Sequence, residues 1–187
     1  TAILAGDALQ ALAFETLAEA PNLPGEARLR AIALLAEAVG WRGMVGGQSF
    51  DLAAEDQALP LEHLEALHAA KTGALIRAAV QIGAVVGNPR LDGETFVLLG
   101  EFAARIGHAF QVIDDILNEE GDPSIMGKAA GTDRDRRKST YPALLGLDAA
   151  KDHAARLIRE AVEVIADFPP AADPLRAIAD YVLRRRR

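Results

Sequence analysis

The sequence predicts an all-α protein, its helices packed into a bundle. Half of its 187 residues are hydrophobic but only 5% are aromatic, and Ala and Leu dominate, which suits helices packed closely on small side chains. Apolar residues recur at helical period through most of the chain, and no stretch alternates in the manner of a strand. The prolines punctuate that period, Pro21 and Pro24 ending one helix and Pro60 opening another. The length suits one domain with a sizeable core, so residues 1–187 are taken as a single helical domain.

Taken in order, residues 1–19 read as a helix that is apolar nearly all round, the signature of a segment buried in a bundle or at a subunit interface. It opens at Thr1 already in helical register, without a start methionine, which reads as a chain whose beginning is missing. Residues 26–39 continue in helical period through Ala27, Ile32, Leu35, Ala36 and Val39. Gly40–Leu52 (GWRGMVGGQSFDL) is rich in glycine and open to two readings. It is a flexible loop, or it is a helix whose glycines let another backbone or a ligand come close. Trp41, Met44, Val45 and Phe50 keep it apolar, and Gln48 and Asp51 stand three residues apart.

The segment 61–87 is a helix whose C-terminal half is buried by composition, which makes Lys71 and Thr72 in its middle out of place. A lysine that snorkels to the surface is the ordinary alternative. Residues 93–120 form the longest helix. Its end, Glu101–Glu120, is apolar except for a stripe of Gln111, Asp114, Asp115 and Asn118, spaced i, i+3, i+4, i+7 on one face. Two adjacent carboxylates in an apolar helix are costly unless a positive group meets them. A hard divalent cation with oxygen ligands answers that cost and leaves room for a phosphate. A solvated acidic patch near a helix end is the alternative, since Glu119, Glu120 and Asp122 follow. Residues 121–139 read as a long unstructured connection carrying Lys128, Arg134, Arg136, Arg137 and Lys138, a length more common in lids or disordered segments than in compact domains. TYPALLGL starts a further helix, and 151–168 and 173–187 close the chain. The four final arginines favour a helix dipole at least as well as a phosphate.

The net charge of −7 argues against a dedicated nucleic-acid binder. No apolar run of about 18 residues is free of polar interruption, so no membrane span is expected, and no signal peptide is visible. The absence of cysteine fits a reducing cytoplasm.

Together, AILAGDAL, GGQSFDL, KTGALIRAAV, FQVIDDIL and GKAAGTDRDRRKSTYPALLG resemble the trans-isoprenyl diphosphate synthases, closest to the bacterial short-chain farnesyl type. The resemblance spans the chain, with five motifs in family order. It implies a helical bundle with a deep apolar cavity, usually a homodimer, that uses Mg2+ to join an allylic diphosphate to isopentenyl diphosphate. Residue by residue, FQVIDDILN is similar to the second aspartate-rich motif. Asp114 would be the main metal ligand, Asp115 supporting it, and Gln111 would face the allylic substrate, with Phe110 on the cavity wall. Lys71 would contact the allylic diphosphate and Thr72 would help stabilise the carbocation. Lys128 and Lys138 would hold the same diphosphate, while Gln48 and Asp51 would line the cavity.

Two departures stand out. The family's DDxxD reads DDILN, so Asn118 occupies the third metal position with no charge to contribute. The first aspartate-rich motif and the isopentenyl diphosphate contacts lie, in the family, upstream of AILAGDAL. Two alternatives therefore stay open, a non-catalytic helical subunit partnering an active synthase, and a terpene cyclase, against which the KTG and GKxxG segments argue.

Overall fold

The computed structural model describes residues 1–120 and 139–185. In chain order its helices are α1 (Ala2–Ala18), α2 (Gly25–Val39), α3 (Met44–Ala53), α4 (Leu61–His68), α5 (Ala74–Gly87), α6 (Gly93–Glu120), α7 (Tyr141–Leu145), α8 (Leu147–Val164) and α9 (Asp173–Arg184). A π-helical turn, Ala69–Gly73, joins α4 to α5, and a 3-10 turn, Pro170–Ala172, precedes α9.

The central element is α6. It starts where Asp92 accepts the Thr95 N–H and the Thr95 hydroxyl, each at 2.8 Å, satisfying a donor that a helix start leaves open. Seven of its apolar residues, from Phe102 to Ile116, are buried in the main core. Against them α8 sets Ala150, Ala154, Leu157, Ile158 and Ala161. Small residues on both helices let the two axes approach closely. α5, α9 and the π-turn pack on α6 as well, and α2 packs on α5. A smaller cluster of Leu23, Ala27 and Val85 ties the α1–α2 connection and α2 to the end of α5.

The all-helical expectation holds throughout the described residues, with several corrections of detail. Gly40–Leu52 is not a loop, since helix α3 begins at Met44 once the turn through Gly40 and Gly43 is complete. Its Gly47 is a contact point: a Cβ there would stand 2.4 Å from the Lys71 backbone nitrogen. The segment 61–87 is interrupted by the π-turn at the KTG motif. Its C-terminal half buries only Ala78, Gln81 and Val85, because α2 and α6 flank α5 and leave its other sides open. Helix α8 begins at Leu147, four residues before the expected start. Gly146, with φ of +84°, separates it from α7, a conformation that glycine adopts without penalty. No residue of α1 is buried, although its composition suggested burial. Ile3, Leu4, Leu9 and Leu12 are all more than half exposed. The connection carrying Lys128 and Lys138 lies outside the described residues.

Two helical stretches, Leu61–Gly87 and Gly93–Glu120, are long and apolar enough to cross a membrane by composition. Half of the apolar window of the second is buried in the bundle and 17% of the first; the first carries Lys71 at mid-length and packs on α2 and α6 through α5.

Two glycines should respond in opposite senses. Gly47→Ala must push backbone against backbone, and overpacking of that kind costs about 1–3 kcal/mol. Gly83 in α5 has open space where its Cβ would go, so Gly83→Ala should stabilise by about 0.5–1 kcal/mol through helix propensity. Urea unfolding of the two variants checks both signs.

Candidate active site

The π-turn sets the geometry of the site. A π-turn inserts one residue into the helical repeat and redirects the side chains that follow. Here it carries Lys71 and Thr72. Lys71 Nζ donates to Asp51 Oδ2 of α3 at 2.8 Å, and the Thr72 hydroxyl donates to Gln111 Oε1 of α6 at 2.6 Å. The turn is gripped from both sides: α3 meets it at Gly47, and α6 meets it at Gly107, where a Cβ would lie 3.0 Å from Gly73 Cα.

The acidic stripe on α6 divides in space. Asp114 is half exposed, and its Oδ1 is 3.5 Å from Nη2 of Arg185, a side chain only 9% exposed. The same guanidinium donates to the Phe110 carbonyl at 3.0 Å and lies 3.9 Å over the Phe110 ring. Asp115 is buried, and its Oδ2 accepts the Tyr141 backbone N–H at 3.0 Å. Asn118 is buried one turn further along α6.

A cavity of about 290 Å³ opens in front of this wall. Asp51, Lys71, Gln111, Asp114 and Asp115 line it, with His68 and, across from them, Ser139 and Thr140. A second cavity of about 560 Å³ is mostly apolar, lined by Met44, Val45, Gln48, Ser49 and Leu52, and Lys71 and Thr72 border it. Lys71 therefore belongs to both. Of the residues singled out in the sequence, Asp51, Lys71, Gln111, Asp114 and Asp115 come together around the polar cavity. Gln48 and Thr72 sit on the apolar one, and neither Asn118 nor Phe110 is on the wall of either. Phe110 instead supports Arg185. Lys128 and Lys138 lie outside the described residues.

Sequence reasoning missed Arg185, which reads as one of four terminal arginines until α9 brings it back to α6. It also missed Tyr141 and the histidines around it. The Tyr141 hydroxyl lies 2.8 Å from His108 Nε2, and His68 and His153 stack on its ring. Burial, then Glu65 and Asp115 nearby, raise the Tyr141 hydroxyl above the usual phenol range, so it keeps its proton. Burial, then the neighbouring His153 and Arg156, hold His108 down at about 4. His153 is lowered too, by burial and by Arg156. These residues come from separate helices, so no spacing in the sequence announces them.

Residues 1–172 match the polyprenyl synthetase family, and the chain belongs to it. The farnesyl diphosphate synthase of Escherichia coli K12 is 46% identical over 189 residues, an alignment covering 98% of this chain and 63% of that enzyme. An FPP/GFPP synthase from Zymomonas mobilis superposes with a TM-score of 0.82 at 40% identity, covering 97% of this chain and 60% of that one. A geranyltransferase from Helicobacter pylori, complexed with magnesium and isoprenyl diphosphate, superposes equally well (TM-score 0.82) at 34% identity, over 97% of this chain and 59% of that one. The chain thus spans about three-fifths of the length of these relatives.

The histidine pocket carries a pH signature. The unfolded chain takes up a proton near the ordinary histidine value of 6.5, whereas folded His108 does so only at about 4. Its contribution to stability is intact above 6.5 and falls as the pH drops through that interval. His108→Leu should flatten the loss seen between 6.5 and the onset of carboxylate titration near about 4. Thermal melts across that range, against the parent protein, check it.

Proposed function

We propose that the protein is a short-chain trans-prenyltransferase, joining an allylic diphosphate (dimethylallyl or geranyl) to isopentenyl diphosphate, with the C15 farnesyl product. One observation carries this reading: Lys71 borders both the polar, acidic cavity and the apolar one, with Thr72 on the apolar side. That pair of spaces suits a substrate with an anionic diphosphate head and a hydrocarbon tail. The 46% identity to a farnesyl diphosphate synthase supports the product class.

Magnesium fits the residues present. The acidic part of the polar wall offers oxygen donors, from Asp114, Asp115 and Gln111, as a hard cation requires. Asp114 is the principal ligand in this reading, because its carboxylate is half exposed and, among the described residues, is held by Arg185 at 3.5 Å. Asp115 has one oxygen committed to Tyr141 and supports it, and Asn118 is the weakest of the three. Held by these residues, magnesium would supply charge neutralisation for the leaving diphosphate.

The chain's own side chains do the rest. Asp51 aims Lys71, whose ammonium meets the diphosphate as a point charge; the family resemblance gives Lys128 and Lys138, outside the described residues, the same role. The allylic C–O bond breaks, its electron pair leaving with the diphosphate. Thr72 and Gln111, already hydrogen-bonded to each other, present oxygen to the resulting carbocation. The apolar wall around Val45 and Leu52 excludes water that would quench it. The double bond of isopentenyl diphosphate then forms the new C–C bond, and the proton lost passes to the released diphosphate. The uncharged Asn118 favours one competing role, a non-catalytic subunit beside an active synthase.

The same reading places the protein in the cytoplasm as a homodimer. α1 exposes Ile3, Leu4, Leu9 and Leu12, apolar side chains of the kind that mark an interaction surface; two-fold pairing is the commonest way to cover such a face, and an upstream segment of the same subunit is the alternative.

Turnover of the full-length protein tests the assignment. Asp114→Ala should lower kcat by about 10²–10³ or more, and Asn118→Ala by far less. Equal small losses would remove Asp114 from its role, and a parent protein inactive with both diphosphates and Mg2+ would leave the subunit reading. Sedimentation at micromolar concentration should give a dimer, dissociated by Leu9→Asp. A clean monomer refutes the pairing.

A further inference from the structure

Glu65 of α4, His108 of α6 and His153 of α8 converge behind the carboxylate wall. One ligand atom from each lies within 4.8 Å of the others, and among the described residues this is the one group of three metal-ligating side chains so placed. Glu65 Oε1 is 3.9 Å from His108 Nε2. The two imidazoles meet edge to face with ring centroids 5.2 Å apart. A second observation is independent of that clustering. His153 Nε2 is buried without a hydrogen-bond partner among the described residues, a state that buried polar atoms rarely keep.

We propose that Glu65, His108 and His153 form a site for a transition-metal ion of the zinc class, separate from the oxygen-lined cavity. Two imidazoles and one carboxylate are a donor set that zinc accepts in tetrahedral geometry, with a fourth position left over. Magnesium prefers oxygen donors and is poorly served by two ring nitrogens. Metal–ligand bonds of about 2.1 Å put tetrahedral ligand atoms about 3.4 Å apart, so the three groups need to close by roughly 1 Å. Glu65 is partly exposed, with 38% of its side chain open, and has the freedom to do so. The Tyr141 hydroxyl, 2.8 Å from His108 Nε2, turns its proton away to release that nitrogen's lone pair and stands next to the fourth position.

Proton placement at His153 sets a condition. Arg156 Nη2 lies 2.7 Å from His153 Nδ1 and can only donate to it, so the neutral ring carries its proton on Nε2. Coordination through Nε2 moves that proton to Nδ1, and Arg156 must then turn away. It already has a second partner in Glu160, at 2.8 Å. Arg156 therefore competes with the metal. The ion would also bear on the wall of the cavity, because Tyr141 holds Asp115 through its backbone N–H.

The test uses full-length protein stripped with chelator, kept in excess Mg2+ to occupy the oxygen-lined cavity, and titrated with Zn2+ against a chromophoric competitor. A parallel titration with Co2+ reads the visible bands of a tetrahedral ion. One equivalent per chain is expected. His108→Leu and His153→Ala should each weaken binding by about tenfold or more, Arg156→Ala should tighten it, and Asp114→Asn should leave it unchanged. Should the histidine variants fail to fold, the partly exposed Glu65→Gln and Arg156→Ala decide the matter, since the first must weaken binding and the second strengthen it. No zinc bound by the folded protein below about 100 μM, or binding lost with Asp114→Asn but indifferent to Glu65→Gln, overturns the site.

Discussion

The structure depends on a conflict carried by one helix. α6 is the middle of the core, buried from Phe102 to Ile116, yet its last three turns carry Gln111, Asp114, Asp115 and Asn118. Polar groups in such a place are expensive unless each finds a partner. Three of the partners come from different parts of the chain. Thr72 of the π-turn serves Gln111, Arg185 beyond α9 serves Asp114, and the Tyr141 N–H at the start of α7 serves Asp115. The polar demands of α6 thus fix where three distant segments must end, and the cavity is the space those segments enclose.

Close backbone approach is the second constraint. Lys71 and Thr72 reach their partners because α3 and α6 come close to the π-turn, at Gly47, where any side chain would intrude, and at Gly107, where a Cβ would be a tight fit against Gly73. Glycine in a helix costs about 1 kcal/mol against alanine. Here that cost is offset by a contact that only glycine permits. The bulge has a matching logic. A regular helix would carry Lys71 and Thr72 on its 100° progression, whereas the wider turn redirects them toward α3 and α6.

Much of this was legible in the sequence. The helical period located α1, α2 and α6 to within a residue or two, and the i, i+3, i+4 spacing on α6 put Gln111, Asp114 and Asp115 on one wall. The rest was hidden for identifiable reasons. Four glycines in Gly40–Gly47 look like a loop because propensity is local, while the contact that rewards them is with a segment more than 20 residues away. A π-turn has no sequence signature of its own. Arg185 and the Tyr141–histidine group depend on tertiary return of the chain, which no periodicity records. The burial expected for α1 rested on composition alone, which states that an apolar face will be covered and not by what.

The charges around the cavity are already paired before any ligand arrives, Lys71 with Asp51 and Arg185 with Asp114. Under the proposed function, an anion and its cation would enter by exchange of partners, and no uncompensated charge would have to be created in a low-dielectric space. The two pairs are not equally ready to exchange. Lys71 and Asp51 meet at 2.8 Å, close enough for a full charge-assisted hydrogen bond. Arg185 reaches Asp114 at only 3.5 Å, and its buried Nε has no hydrogen-bond partner among the described residues. A guanidinium so placed is held mainly by the Phe110 carbonyl and ring. In the proposed function it would stay there if a metal took Asp114, lending positive potential to the same region without leaving a hole in the packing. The tight pair then sets direction, keeping Lys71 aimed between the two cavities, while the loose one leaves the principal carboxylate available.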